Sequence, residues 1–207
     1  MKTNPRIILL TSAIVLFAHI PNGISGQKKF KNESEWNESQ LGPLPHGYSR
    51  PYFEKVKAFF LVPEGWTVQQ ETKGTTEAIF ITKEPFDEHG LFKIGFSVNV
   101  IKGYLKENLD ADVIDAILRK LFENVRQAAK VGELDPRGDG EYFKGYFAAV
   151  GSQTENGEKI FSPSLFLVNI HSGTLYSFII EAPIEDWERE KDRLTTIMSS
   201  LSLDPRY

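Results

Sequence analysis

The sequence predicts an α+β fold, a largely antiparallel sheet covered by helices. Three observations lead there. β-prone runs come as a group of four and then a group of three, with a long helical stripe after each group. Pairs such as Asn156-Gly157 and Ser172-Gly173 join neighbouring runs, and joins this short make antiparallel neighbours. With 207 residues, 41% of them hydrophobic, the chain can bury one substantial core and needs no disulfide staple.

The chain opens Met1-Lys2-Thr3-Asn4-Pro5-Arg6, a short basic stretch. An apolar run over residues 7–20 follows, interrupted only by Thr11, Ser12 and His19, and Pro21-Asn22-Gly23 ends it. That is the pattern of a cleavable signal peptide over residues 1–25. The run is shorter than the roughly 20 residues that a membrane-spanning helix needs. Small residues at Gly23 and Ser25 favour a cut after Ser25, with a cut after Gly26 as the alternative. Cleavage removes Lys2 and Arg6 and no acid, so the formal charge goes from −4 to −6. An acidic surface of this kind argues against nucleic acid and against anionic lipid. The chain contains no cysteine, which excludes a lipid-anchored cysteine, a thiol nucleophile and a thiolate metal site. The expected product is a free protein outside the cytoplasm, periplasmic or extracellular, with no transmembrane segment after signal cleavage.

Residues 26–56 are polar, with scattered aromatics and no apolar period, and read as a flexible arm. They hold two glycosylation-type triplets, at Asn32 and Asn37. A single domain is expected over 57–204. Its first strand is Ala58-Phe59-Phe60-Leu61-Val62, stopped by Pro63-Glu64-Gly65; the second runs over 66–70 and the third over 77–82. The fourth is the cleanest, with Phe92, Ile94, Phe96, Val98 and Val100 alternating with Lys93, Gly95, Ser97 and Asn99. Asp110 or Asp112 then caps a helix that carries Ile114, Leu118, Leu121, Phe122 and Val125 and runs to Gly132. A turn-rich link over 135–140 leads to three strands over 142–152, 160–171 and 175–182. A last helix, opened by Pro183, carries Trp187, Leu194, Ile197, Met198 and Leu201.

Three stretches in this order resemble the PsbP-like superfamily, which groups the PsbP extrinsic proteins of photosystem II with a Ran-binding import factor and bacterial envelope proteins. They are Phe59-Phe60-Leu61-Val62-Pro63-Glu64-Gly65-Trp66, then Asp139-Gly140-Glu141-Tyr142, and then Tyr176-Ser177-Phe178-Ile179-Ile180-Glu181-Ala182-Pro183 with Trp187 and the ending Met198-Ser199-Ser200-Leu201-Ser202-Leu203. The resemblance implies an α/β/α sandwich of PsbP-like type and a binding or assembly module with no enzymatic activity.

The search for chemistry gives little. Asp87, Glu88 and His89 are the one candidate metal set, and their contiguous spacing suits a solvated loop tip better than a ligand set. His46 and His171 have no partner in sequence and read as surface residues. No G-x-S-x-G, G-x-G-x-x-G or Walker pattern occurs, so no catalytic residue and no cofactor are expected. Arg137-Gly138-Asp139 reads as a turn before a strand. Tyr142, Phe143, Tyr146, Phe147, Phe161, Phe166 and Tyr176 crowd the last strands; any left uncovered on one face would suit a partner. The expected function is that of an exported accessory or binding protein of the cell envelope, acting on an envelope protein partner. The alternative is a carrier of a small molecule or metal in a groove between sheet and helices.

Overall fold

A computed structural model describes residues 41–87, 91–106, 109–154 and 157–207. The expected signal peptide, the Asn32 and Asn37 triplets and the first part of the arm lie outside the described residues. The elements run β1 (Tyr48–Ser49), β2 (Tyr52–Phe53), β3 (Ala58–Phe59), β4 (Val62–Pro63), β5 (Thr67–Lys73), β6 (Thr76–Thr82), β7 (Gly95–Ile101), α1 (Ala111–Arg126), β8 (Lys130–Val131) and β9 (Asp135–Arg137). After these come β10 (Phe143–Ala148), β11 (Val150–Gln153), β12 (Lys159–Phe161), β13 (Ser164–Asn169), β14 (Leu175–Pro183), α2 (Ile184–Ser199) and β15 (Ser202–Leu203).

The main sheet is antiparallel throughout and begins β5-β6-β7-β14. Beyond β14 it divides. One branch is β13-β10-β9 and the other is β12-β11-β8. The split follows from two breaks in strands expected to be continuous. Ala149 separates β10 from β11, and Ser162-Pro163 separates β12 from β13, where Pro163 has no N–H to give a ladder.

Side-chain alternation on β7 and β14 sends residues to two cores. Phe96, Val98 and Val100 with Tyr176, Phe178 and Ile180 form one face, closed by Leu194 and Ile197 of α2. Phe166 and Val168 of β13 with Tyr146 and Ala148 of β10 form the other, closed by Ile114, Leu118, Leu121 and Phe122 of α1. A helix on each side of one antiparallel sheet is the expected α+β sandwich. Each fully buried Leu or Ile contributes about 1.5–3 kcal/mol, so the helices are held by these stripes more than by propensity.

Further expectations change. The first strand, expected as one run over 58–62, is broken at Phe60-Leu61 into β3 and β4, which pair in separate small sheets. α1 stops at Arg126, short of Gly132, because Lys130–Val131 leave the helix to pair with Val150 and Gly151 as β8. The 135–140 link is partly strand, since β9 pairs with Gly145, Tyr146 and Phe147. The domain also starts upstream of Lys57. β1 pairs with β4 and β2 with β3, and Phe53 and Val56 are buried in the core under α2. The apolar residues of 48–56 find their partners in tertiary contacts, which leave no local period to read.

Candidate functional site

The outer edge of β5 is the first feature open to a partner. Its seven residues pair with β6 without a bulge, from Thr67 opposite Thr82 to Lys73 opposite Thr76. Among the described residues nothing pairs with its other side. Most of the strand is exposed, including Val68, and it contains no proline. The other edges are blunted: β8 has two residues, and β9 has three with Pro136 at its centre. Proline, shortness and charge protect sheet edges; β5 has neither of the first two, and its charges, Glu71 and Lys73, sit at its far end.

The second feature lies on the α1 side of the sheet, where Ala78 of β6, Ser97 of β7 and Ser177 and Ile179 of β14 are buried. Register places Asn99 opposite Ala78 and Ser177, and Ser97 opposite Phe80 and Ile179. Ser177 is 1% exposed, and its Oγ has no hydrogen-bond partner. The Tyr104 hydroxyl, in the turn that leaves β7, is likewise buried and unpaired, and burial pushes its phenol pKa up. Beside this polar floor Phe80, Phe86 and Phe92 form a half-buried trio with ring centroids 5.7–6.3 Å apart. The trio belongs to neither core cluster. Gly95 makes room for it, since a Cβ there would lie 2.8 Å from the Phe92 ring.

The polar constellations hold the helices to the sheet. Asp115 of α1 accepts hydrogen bonds from the Tyr146 hydroxyl and from Arg119 Nε (2.7 Å), and these two hold its carboxyl below the usual carboxylate range. On the other side Lys93 Nζ lies 2.7 Å from Asp186 Oδ2 and lowers the Asp186 pKa. Lys83 pairs with Glu190, which is 3% exposed. Burial would raise the Glu190 carboxyl, but Lys83 and Arg189 outweigh it and hold it low. A third constellation ties down the C-terminal segment. Asn169 Nδ2 donates to the carbonyls of Pro205 (2.8 Å) and Tyr207 (2.5 Å), and the Tyr176 hydroxyl donates to Tyr207 (3.0 Å).

The candidate residues from sequence fare unevenly. Asp87 closes a turn, its Oδ1 accepting from the Leu91 N–H at 2.8 Å. Glu88 and His89 lie outside the described residues, and no metal-holding group of three His, Cys, Asp or Glu occurs among the described ones. His171 is half-buried and partnered: its Nε2 lies 2.9 Å from the Glu141 carbonyl, and its ring meets the Tyr142 ring edge-on. Arg137-Gly138-Asp139 is the expected turn, with Asp139 Oδ1 accepting from three N–H groups at 141–143. Of the crowded aromatics, Phe143, Tyr146, Phe166 and Tyr176 are core, while Tyr142, Phe147 and Phe161 stay half-buried. Phe161 packs edge-on against Trp187 at 4.6 Å. No helix among the described residues is long and apolar enough to cross a membrane.

No family model matches the chain, and no curated protein sequence matches it. Solved structures similar to it include a cyanobacterial PsbP (CyanoP) from Synechocystis, 18% identical with a TM-score of 0.45, covering 80% of this chain and 99% of that one. The Ran-binding protein Mog1p of Saccharomyces cerevisiae is 11% identical, with a TM-score of 0.44 over 75% of this chain and 95% of its own. LpqN, involved in cell envelope biogenesis of Mycobacterium tuberculosis, is 12% identical, with a TM-score of 0.46 over 70% of this chain and 82% of its own. Nothing about family, activity or partner passes to this chain from these structures at such identities and TM-scores.

Proposed function

We propose that this chain is an exported, non-enzymatic accessory protein of the cell envelope that holds an extended segment of a protein partner against β5. The observation that carries the reading is the contrast between edges: β5 offers seven residues to a new strand, whereas β8 and β9 are short or proline-blocked. Strand addition draws affinity from main-chain hydrogen bonds and selectivity from alternate side chains. Here Val68 stands exposed and Trp66, which enters the strand, is half-buried against the core.

Export is supported by the apolar run over 7–20 and the break at Pro21-Asn22-Gly23. Sequencing the N-terminus of the protein recovered from its native host tests it, with Gly26 or Gln27 expected as the first residue. Recovery with Met1 intact would contradict it.

The strand-addition reading is tested by placing a photo-cross-linking residue at Gln70, on the exposed edge, and in a second chain at Lys120, on the outer face of α1. Irradiation in the envelope fraction should give a discrete protein adduct from position 70 and none from position 120. Adducts from 120 alone, or from neither, would overturn the β5 assignment.

A further inference from the structure

We propose that β5 is self-complementary, and that two copies of this chain pair β5 to β5 about a two-fold axis at Gln70, forming an antiparallel dimer with one continuous sheet. The inference uses the same edge as the proposed function but rests on the strand's own sequence and geometry, not on an envelope partner.

The turn at the end of β5 decides which residues face outward. Lys73 and Thr76 flank the two-residue turn Gly74-Thr75, where Gly74 takes a φ of 62°. A turn of this length closes on a pair that exchanges both backbone hydrogen bonds, and such pairs alternate along an antiparallel ladder. Lys73, Glu71, Gln69 and Thr67 therefore direct their N–H and C=O groups to β6. Thr72, Gln70 and Val68 turn theirs to the free edge, where among the described residues no strand meets them.

Symmetry then fixes the register. A two-fold axis between antiparallel edge strands stands perpendicular to the sheet, so opposed residues share a face and the axis passes between a residue and its own copy. With the axis at Gln70, Val68 lies opposite Thr72 of the second copy, Gln69 opposite its Glu71 and Thr67 opposite its Lys73. Every outward-facing residue of β5 then gives and takes a backbone hydrogen bond, and no like charges stand opposite each other. Gln69 Nε2 already donates to Glu71 Oε1 at 2.6 Å within one chain, and the dimer sets the same two groups face to face across the seam. Exposed Val68 gains the methyl group of Thr72. Other axes do worse. At Glu71 the axis opposes two carboxylates, and at Thr72 it runs the strands into the turn and leaves Val68 unpaired. At Gln69 it calls on the Trp66 N–H, which already donates to the Pro63 carbonyl.

The chain contains no cysteine, so one introduced thiol reports the register. The full chain, purified alone, carries Gln70→Cys, Thr72→Cys or Lys120→Cys in turn and is mildly oxidised. A hydrogen-bonded antiparallel pair holds its Cα atoms about 5.5 Å apart, within disulfide reach, whereas Thr72 and its copy would lie more than about 13 Å apart. Gln70→Cys should form a disulfide dimer about tenfold faster than either other variant. A seam of one strand is small, so the unmodified chain should rise from monomer to dimer mass in sedimentation equilibrium between micromolar and millimolar concentration. Gln70→Pro removes only an outward N–H, so its thermal midpoint should stay near that of the unmodified chain while association weakens about tenfold or more. A chain that stays monomeric at millimolar concentration, Thr72→Cys cross-linking as fast as Gln70→Cys, or folded Gln70→Pro dimerising undiminished would overturn the proposal. None of these outcomes touches the envelope partner, because only this chain is present. In the envelope photo-cross-linking, an adduct of twice the chain mass is the second copy and any other mass is the partner.

Discussion

Single side chains in this protein reach far along the sequence, and their contributions can be measured one at a time. Phe122 is fully buried between α1 and β13, its ring 4.8 Å from that of Phe166. Phe122→Ala should cost about 3–5 kcal/mol, read from the urea midpoint at constant slope. Gly145 is a sharper case. A Cβ at this position would run into the carbonyl oxygen of Phe166 on the neighbouring strand, so Gly145→Ala should open the β10–β13 ladder and destabilise the domain by more than an ordinary surface change. A Gly145→Ala protein that melts at the wild-type temperature would show that the two strands can part without cost. The sequence showed only part of this. Phe122 could be read as core, but its partner could not, and nothing marks Gly145 apart from the glycines that serve turns.

At the scale of elements, the sequence was legible where the pattern is local. β7 keeps period two from Gly95 to Ile101, although Phe92, expected to open the same strand on its core face, lies ahead of it in the aromatic trio; the helical stripes stand where the 3.6-residue period puts them, Asp110 caps α1, and Gly173 takes the positive φ expected of its turn. Legibility failed where pairing is distant. β2 depends on β3, and β3 on β15, whose sequence neighbours say nothing about that contact. Residues 48–56 therefore looked like an arm although Phe53 and Val56 are core. A chain starting at Lys57 should lose the burial of both, about 3–6 kcal/mol together at 1.5–3 kcal/mol for each large side chain, and should unfold well below the full-length protein. Equal melting temperatures would mean that 48–56 only lie on the domain. Of the candidate site, the strand composition of β5 was visible but its place at the edge was not, because order in a sheet is a property of the whole fold. Ser97 reads as an ordinary polar alternate, and only the structure shows the Ser177 hydroxyl buried without a partner.

At the scale of the whole molecule, the lowered carboxyls share one geometry: each joins a helix to the sheet beneath it. Asp115 holds α1 to Tyr146 of β10, while Asp186 and Glu190 hold α2 to Lys93 and Lys83 at the ends of β7 and β6. Their folded-state pKa values lie below the unfolded ones, so the stabilisation is full above the unfolded pKa of about 4 and is lost as pH falls through the folded values. The urea midpoint should hold from pH 7 to pH 5 and then drop below about pH 4, and Asp115→Asn with Asp186→Asn should flatten that drop. A wild-type midpoint that does not change between pH 5 and pH 3 would show that these pairs contribute nothing. The pairing of β15 with β3 also bears on how the chain comes to be folded. Ser202 lies opposite Phe59, and the Asp204 N–H donates to the Lys57 carbonyl at 2.9 Å, so the start and finish of the domain are stitched side by side. During synthesis no early portion can complete its own perimeter. The seam closes only when Leu203 and Asp204 emerge, so this part of the fold is completed at the very end of synthesis.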